Sequence, residues 1–355
     1  ARMFTYARIE NFRGIERLEV SGLGRVNLII GRNNAGKTAM MEAIWMAGSA
    51  ENAARALAIL QDVRRPDMPV EDFDGFWRPI FRGGDAERGL LVDLRQMKSE
   101  QATGAGTRVS MKRARRSPPE LSTDLAGGPS RHGTWALECT IEYAGKTHEQ
   151  VVTGGSRGIE FPEVMNPYPF ATWIDAKPVE YRRVIRMLSL LKQQGRDSMV
   201  KDLLRLIDEQ VEGLEILSPT GGQAAIFVRQ KGQTALLPIQ MMGEGIQRCL
   251  DIAVTLAGGE SVLLGIDEIE NGLHHSTLEP IWRWLATVSA TRDMQFFATT
   301  HSEECVQAAC RAFSALNDDG LRVIRLDRRE HETAATVYDR NLVAAAERMG
   351  VEIRG

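Results

Sequence analysis

The segment from Gly31 to Thr38 constrains the fold of this chain more than any other. It reads Gly-Arg-Asn-Asn-Ala-Gly-Lys-Thr, a complete GxxxxGK[ST] pattern. The apolar run Val26 to Ile30 before it predicts a buried strand, and Thr38 to Ala47 after it is rich in helix formers. Glycines in such a loop let backbone N–H groups and the positive end of the helix face a phosphate chain. We therefore expect a strand, a phosphate-binding loop and a helix in succession.

Each residue of this loop is a candidate ligand of ATP. Lys37 is expected to hold the β- and γ-phosphates, and Thr38 is expected to hold Mg²⁺. A loop that matches the pattern by chance is the alternative, but chance does not explain the strand before it and the helix after it. The predicted nucleotide-binding residues here are Gly31, Arg32, Asn33, Asn34, Ala35, Gly36, Lys37 and Thr38.

A second chemical signal lies at the end of an apolar run. Val262 to Ile266 predicts a buried strand, and Asp267 and Glu268 follow it directly. Asp267 can reach Mg²⁺ through water, and Glu268 can polarise the attacking water. Two acidic residues at a strand end are common on any surface, but beside a complete phosphate loop they predict hydrolysis. The 230 positions between Lys37 and Asp267 leave room for an insertion that Ras-like or kinase-like domains rarely need.

A histidine follows the next predicted strand. His301 comes 33 positions after Glu268, about the length of one strand–helix–strand unit. At such a position it can contact the γ-phosphate and distinguish ATP from ADP. The alternative is a histidine that only caps the following helix.

Two glycines mark the start of another predicted helix. Gly243 and Gly245 lie within Met242 to Arg248, and they would leave N–H groups free at a positive helix end. Because this helix is expected away from the phosphate loop of its own chain, the bound anion should come from a second molecule. The sequence therefore predicts a dimer.

The bulk composition excludes several classes of protein. Hydrophobic residues make up 43% and charged residues 26% of the 355 positions, which excludes a mostly disordered chain. With a net charge of only −3, no global field attracts nucleic acid, so a DNA contact would need a local patch. A charge run is more often simply solvated. The candidate patch is Arg108, Lys112, Arg113, Arg115 and Arg116.

Cysteine usage and hydropathy predict a cytoplasmic protein. The four cysteines have no CxxC spacing and are expected to be reduced and buried. No apolar run approaches the roughly 18 residues of a membrane span, and no signal peptide is visible. The paired His274 and His275 have no nearby third ligand, so Mg²⁺ is the only metal that we expect.

Five motifs together resemble the ATPase heads of the SMC, RecF and OLD group. The chain is most similar to short ABC-type ATPases related to OLD proteins. The resemblance implies an α/β fold, an ABC-type P-loop ATPase head with a mainly parallel sheet, an antiparallel β lobe and an inserted helical subdomain. The matching segments are Ile9 to Gly14, Gly31 to Thr38, Met242 to Arg248, Asp267 to Ser276 and Phe297 to Ser302.

The resemblance also implies where ATP would bind. It implies a head-to-head dimer with ATP between Lys37 of one subunit and Gly243 and Gly245 of the other. Glu268 would be the hydrolytic carboxylate, and the segment from Asn271 to His274 would cross the dimer seam. Position 243 is glycine where the typical signature has serine, so backbone N–H groups must serve there. No glutamine is assigned to the Q-loop.

The resemblance suggests a role for a partner. OLD proteins usually carry a Toprim nuclease, and the 54 residues after His301 are too few for one, so we expect a separate nuclease or Toprim effector. A role in anti-phage or foreign-DNA defence follows from the family alone. The alternatives are a RecF- or SMC-like DNA-repair ATPase, an ATP-dependent scaffold or sensor with little hydrolysis, and a disfavoured transporter ATPase.

Changes in pattern divide the chain into five predicted units. Thr5 to Phe12 and Ile15 to Val20 predict a hairpin, whereas residues 50–84 are less regular. Residues 178–211 predict two helices broken near Gln194 and Gly195. The units are the N-terminal half of the ATPase head (residues 1–100), a flexible basic insertion (101–133), the remaining β lobe (134–175), a helical insertion (176–216) and the C-terminal half of the head (217–355).

Overall fold

The computed structural model describes residues 3–98, 101–114, 135–155, 158–162, 171–176, 179–259, 262–329, 332–340 and 342–343. Within these ranges the chain forms three sheets with helices packed against them. The helices are α1 (Lys37–Gly48), α2 (Ala53–Arg64), α3 (Tyr181–Gln193), α4 (Ser198–Ile207), α5 (Glu244–Gly258), α6 (His275–Arg292) and α7 (Glu303–Ala315). The strands are β1 (Tyr6–Phe12), β2 (Ile15–Ser21), β3 (Val26–Gly31), β4 (Leu90–Lys98), β5 (Gln101–Arg113), β6 (Trp135–Tyr143), β7 (Lys146–Gly155), β8 (Gly158–Glu160), β9 (Ala171–Ile174), β10 (Val211–Leu217), β11 (Ala225–Gln230), β12 (Leu237–Pro238), β13 (Leu263–Ile266), β14 (Gln295–Thr299), β15 (Leu321–Arg329) and β16 (Glu332–Asp339).

The central sheet has the strand order β16-β15-β3-β14-β13-β9, and all of its pairs are parallel except β15 with β16. Both of its faces are buried. On β3, Leu28 and Ile30 belong to the core on one face, whereas Ile29 belongs to the core on the other. Continuous apolar runs in the sequence are what a sheet covered on both faces requires.

The two cores hold different layers together. One core joins the central sheet to α3 through α7 and to the small sheet of order β10-β11-β12. The other core joins α1, α2 and the antiparallel sheet of order β2-β1-β4-β5-β6-β7-β8 to the opposite face of the central sheet. Helix α1, which follows the phosphate loop, is therefore enclosed between two sheets.

A buried carboxylate lies on α1 in the second core. The Glu42 side chain is fully buried between two arginines. Arg13 Nε lies 2.5 Å from one carboxylate oxygen, and Arg64 Nε lies 2.5 Å from the other. Burial raises the pKa of Glu42, whereas the charges of Arg13 and Arg64 oppose the rise. This triad connects the turn of the β1–β2 hairpin to the end of α2.

Most predicted elements are confirmed. The hairpin, the strand and helix around the phosphate loop, the start of α5 and the strand before Asp267 lie within a few residues of their predicted positions. The helical pair α3 and α4 is interrupted at Gln194 and Gly195, as predicted.

The prediction of a flexible insertion at residues 101–133 is wrong for its first part. Gln101–Arg113 is strand β5, paired on both sides with β4 and β6. Thr107, Val109 and Met111 are buried on one face and alternate with polar residues on the other. This period of two is a strand signal, which the glycine, serine and basic content of the wider segment outweighed in the prediction. Residues 115–134 lie outside the described residues.

Three further features differ from the sequence prediction. Helix α2 forms within the segment 50–84 that we expected to be irregular. Strand β9 was assigned to the β lobe, but it pairs in parallel with β13 at the edge of the central sheet. Strand β10 crosses the proposed boundary at residue 217, because it pairs with β11 in a small sheet that the sequence did not predict.

None of the helices in the described part of the chain has the length and apolar character that a membrane span requires.

We predict that Glu42→Ala lowers the free energy of unfolding by about 3 kcal/mol, because it leaves two arginines without their buried partner. Chemical denaturation followed by circular dichroism measures this change. Glu19→Ala is the matched control, since the Glu19 side chain is exposed where it pairs with Arg8 and Arg17, and we expect a change within about 0.5 kcal/mol. Equal effects of the two substitutions would contradict the role of the triad.

Candidate functional site

The predicted nucleotide-binding and catalytic residues meet at an open cleft of about 890 Å³. The cleft lies at the carboxyl ends of β3, β14 and β13, where open α/β sheets generally bind ligands. Its lining residues include Asn33, Asn34, Gly36, Lys37, Thr38, Glu268 and His301, which we predicted, and Gly14, Ala39, Arg64 and Arg328, which we did not.

The phosphate loop has the backbone geometry that its glycines permit. Gly31 has a φ of +141°, and a Cβ atom there would lie 2.4 Å from the backbone oxygen of Leu326. Gly36 precedes α1 with a φ of +98°, in the left-handed region that favours glycine. Lys37 is buried, and its Nζ donates to the backbone oxygens of Gly31 at 2.9 Å and Arg32 at 3.1 Å. The lysine thus closes the loop on itself.

Asp267 lies beside Thr38 at the base of the cleft. The Thr38 hydroxyl is 3.4 Å from Asp267 Oδ1, although the two residues are far apart in sequence. Thr299 also contacts Asp267 Oδ1, with its hydroxyl donating at 2.6 Å. Burial raises the pKa of Asp267, whereas the Thr299 hydrogen bond lowers it. Positive charge brought to this carboxylate would offset the cost of its burial.

Glu268 occupies an unusual backbone conformation at the mouth of the cleft. Its φ is +45°, which is uncommon for a residue with a side chain. Asn271 Nδ2 donates to Glu268 Oε2 at 2.7 Å, and His301 Nε2 lies 3.6 Å from Glu268 Oε1. Within one subunit, Asn271 therefore orients Glu268.

The segment that carries His301 is held by a neighbouring carboxylate. The His301 backbone N–H donates to Glu270 Oε1 at 2.7 Å. Ser302, and not His301, caps α7, because its hydroxyl accepts from the Cys305 N–H at 3.1 Å. The alternative that His301 serves as the helix cap is therefore wrong, and its ring faces the cleft.

The predicted signature glycines lie outside the cleft lining described above. Gly243 is exposed, and a Cβ atom there would meet nothing within 4 Å. Gly245 is close to the segment after Glu268, because its Cβ position lies 2.9 Å from the Gly272 backbone oxygen. The N-terminal end of α5 therefore presents backbone groups at the surface, next to the segment that we expect at the dimer seam.

A buried arginine joins α5 to the strand end that carries Asp267. Arg248 Nη2 donates to the Asp267 backbone oxygen at 2.8 Å, and Nη1 donates to that of Asp175 at the end of β9. The signature helix and the carboxylate strand are thus connected directly.

Two arginines that line the cleft were not predicted from the sequence. Arg64 ends α2, a helix that was not predicted, and Arg328 comes from β15, where its Nη1 is 3.5 Å from the Asn34 backbone oxygen. Lys37 and these arginines make the cleft positive, which suits a polyphosphate. No local motif marks either arginine, because both reach the cleft through tertiary packing.

The candidate DNA patch is interrupted by acidic residues. On β5, Arg108 lies between Asp93 of β4 and Glu142 of β6 in the sheet register. Lys112 Nζ is 3.2 Å from Glu138, and Arg113 lies over the ring of Phe73. Arg115 and Arg116 fall outside the described residues. The DNA contact stays a prediction.

The oxygen donors at the base of the cleft fit Mg²⁺. Thr38 and Asp267 supply a hydroxyl and a carboxylate within 3.4 Å of each other. Among the described residues, no group of three or more His, Cys, Asp or Glu side chains could hold a metal. Mg²⁺ commonly binds through one or two protein ligands together with phosphates and water, and this site offers that arrangement.

Comparison with solved structures defines the class of fold. The structure of an SMC head bound to the C-winged helix domain of ScpA superposes with a TM-score of 0.50 at 12% identity, covering 96% of this chain and 99% of that one. An SMC head derived from Pyrococcus furiosus with an extended coiled coil, bound to the C-terminal domain of ScpA, gives 0.50 at 10% identity with full coverage of both. The fold is that of an SMC-like, ABC-type ATPase head, which confirms the predicted fold class.

Sequence comparison adds a family profile and one relative. Residues 175–306 match the profile of a family described as "AAA domain, putative AbiEii toxin, Type IV TA system". The chain is 20% identical to an "ATP/GTP phosphatase" of Helicobacter pylori over 335 residues, which cover 86% of this chain and 87% of that protein. The resemblance to the group that contains SMC heads is confirmed, and the narrower likeness to OLD proteins stays a prediction.

We predict that Mg²⁺ and ATP together raise the melting temperature of the protein, because a ligand that binds only the folded state stabilises it. At 100 times the dissociation constant the stabilisation is about 2.7 kcal/mol. Differential scanning fluorimetry measures the shift. Lys37→Ala should lose most of it, and an unchanged shift in that variant would place the nucleotide elsewhere.

Proposed function

We propose that this chain is an ATPase that binds ATP with Mg²⁺ and hydrolyses it to ADP and phosphate. One observation carries the proposal. The phosphate loop, Asp267, Glu268 and His301 line or adjoin a single positive cleft, although 230 positions separate Lys37 from Asp267. A cleft with this charge suits a nucleoside triphosphate more than any neutral ligand.

The side chains have distinct proposed roles. Lys37 leaves its contacts with the loop carbonyls to hold the β- and γ-phosphates, and Thr38 and Asp267 hold Mg²⁺. The metal supplies charge neutralisation at the phosphate oxygens. Glu268 accepts a proton from the water that attacks the γ-phosphorus. The bond between the γ-phosphorus and the oxygen that bridges to the β-phosphate breaks, and ADP leaves. His301 lies beside Glu268 and senses the γ-phosphate.

We further propose that two copies enclose the nucleotide. The exposed start of α5 carries Gly243 with open space around it, as a surface that receives phosphate from another molecule would. It lies beside Gly272, within the segment from Asn271 to His274 that the resemblance places at the seam. In the dimer Asn271 would remain next to Glu268 and carry the seam contact to the catalytic carboxylate.

We propose that dimerisation controls a separate effector, such as a nuclease or Toprim protein, in cytoplasmic defence against phage or foreign DNA. SMC heads with this fold have been solved with ScpA domains bound, which supports a partner-binding head. The four cysteines are buried and none of them forms a disulfide, as expected in a reducing compartment. A repair ATPase of the SMC or RecF kind is the second candidate, and the shared fold favours it equally.

We predict that the purified protein releases phosphate from ATP and that Glu268→Gln lowers the turnover number at least about 100-fold, because it removes the general base. Glu268→Gln should also accumulate as a dimer with ATP, which light scattering coupled to size exclusion measures. Lys37→Ala is the control for both assays. Release no greater than that of Lys37→Ala would favour the scaffold or sensor alternative.

Complementation tests whether the site is shared between subunits. We predict that Gly243→Asp abolishes hydrolysis, since its carboxylate would repel the phosphates, while the open space at Gly243 lets the variant fold. Lys37→Ala is inactive for a different reason. An equimolar mixture of the two should recover about a quarter of wild-type activity, because half of the dimers are mixed and each has one intact site. No recovery in a mixture that forms dimers would contradict a site built from two chains.

A further inference from the structure

The hydroxyl of Thr299 contacts both residues that carry the acidic groups of the cleft. It donates to Asp267 Oδ1 at 2.6 Å and accepts from the Glu268 backbone N–H at 2.8 Å. The Thr299 backbone oxygen also accepts from the Ile269 N–H at 3.1 Å. Thr299 is 1% exposed, so water does not compete for these hydrogen bonds.

We propose that Thr299 is a positioning residue that fixes Asp267 for Mg²⁺ and Glu268 for water activation. This inference rests on the proposed ATPase function. One hydroxyl does both tasks, since it has one hydrogen to donate and lone pairs to accept.

The sheet order explains why a residue of β14 can reach both acidic residues. Strand β14 lies between β3, which leads into the phosphate loop, and β13, which ends just before Asp267. Thr299 is paired with Ile29 of β3 in the register and lies one residue beyond the last β13 pair, which joins Ile266 to Ala298. It is therefore placed where the chain of β13 turns away from the sheet.

The turn away from the sheet is conformationally costly. Glu268 has a φ of +45°, and a residue with a side chain adopts that conformation only where the surrounding contacts offset its cost. The hydrogen bond from its N–H to Thr299 is one contact that fixes this conformation. Without it, we expect the direction of the Glu268 side chain to vary.

Thr299 also lies two residues before His301. The end of β14 therefore links the two carboxylates to the segment that faces the γ-phosphate. A shift of the His301 backbone can therefore move Thr299, two positions earlier, and through the Thr299 hydroxyl also Asp267.

Thr299→Val and Thr299→Ser test this proposal as a pair. Valine keeps the β-branched shape that suits a buried strand but lacks the hydroxyl, and serine keeps the hydroxyl. The probe is Mn²⁺, whose binding to the protein–ATP complex is measured by electron paramagnetic resonance in the Glu268→Gln background. We expect Thr299→Val to weaken Mn²⁺ binding about 10-fold or more, and Thr299→Ser to stay within about 3-fold of the parent.

A structural role alone would not give that pattern. ATP affinity without metal, measured by calorimetry, should be the same in both variants, and the Mg²⁺ concentration for half-maximal hydrolysis should rise only with valine. Thr255→Val is the matched control, because Thr255 is also buried and lies 3.5 Å from an aspartate, Asp251, away from the cleft. It should keep the parental Mn²⁺ affinity.

Each outcome decides the proposal. Equal Mn²⁺ affinities for Thr299→Val and Thr299→Ser would overturn it, as would an equal loss in Thr255→Val. If Thr299→Val does not fold, Thr299→Ala removes the same hydroxyl without placing a second methyl group against Asp267, and it replaces valine in the comparison. If the wild-type protein does not hydrolyse ATP above the level of Lys37→Ala, the proposed function fails, while the Mn²⁺ titration still reports on Thr299.

Discussion

The site depends on the adjacency of three parallel strands. Because β14 lies between β3 and β13, the phosphate loop, the carboxylates and His301 all emerge at one edge of the central sheet. Parallel strands direct their carboxyl ends to the same edge, so the chain can collect these residues from distant positions. This arrangement brings the Thr38 hydroxyl within 3.4 Å of Asp267 and the Thr299 hydroxyl within 2.6 Å of it. The helices and the other two sheets pack against the central sheet and support this arrangement of strands.

The phosphate loop is held from two sides. Central-sheet packing fixes β3, and the buried triad of Arg13, Glu42 and Arg64 fixes α1 against the antiparallel sheet and α2. Arg64 belongs to both the triad and the cleft, so the charge that balances Glu42 also faces the proposed nucleotide site. Stability and nucleotide binding therefore share a side chain, and a change in the β1–β2 hairpin can affect the cleft through Arg13.

The start of α5 represents the other half of the proposed site. Arg248 ties this helix to the backbone of Asp267, and Gly245 packs closely against Gly272. A phosphate bound at the exposed start of α5 could therefore shift Asp267 of the same chain through Arg248. In a dimer with two such halves, each nucleotide would be contacted by both subunits. This geometry explains how binding between copies could be coupled to hydrolysis within each.

The sequence by itself determined the local chemistry, namely the phosphate loop, the acidic strand end, the histidine and most of the central strands. Such features are specified by neighbouring residues, through glycine conformations and through apolar runs that a sheet buried on both faces requires. Only the tertiary structure decided the roles of Arg64, Arg328 and Thr299, because their partners are remote in sequence. It also decided that Gln101–Arg113 lies between β4 and β6, where Val109 and Met111 are buried. Contacts between distant segments have no local signature, which is the physical reason for this division.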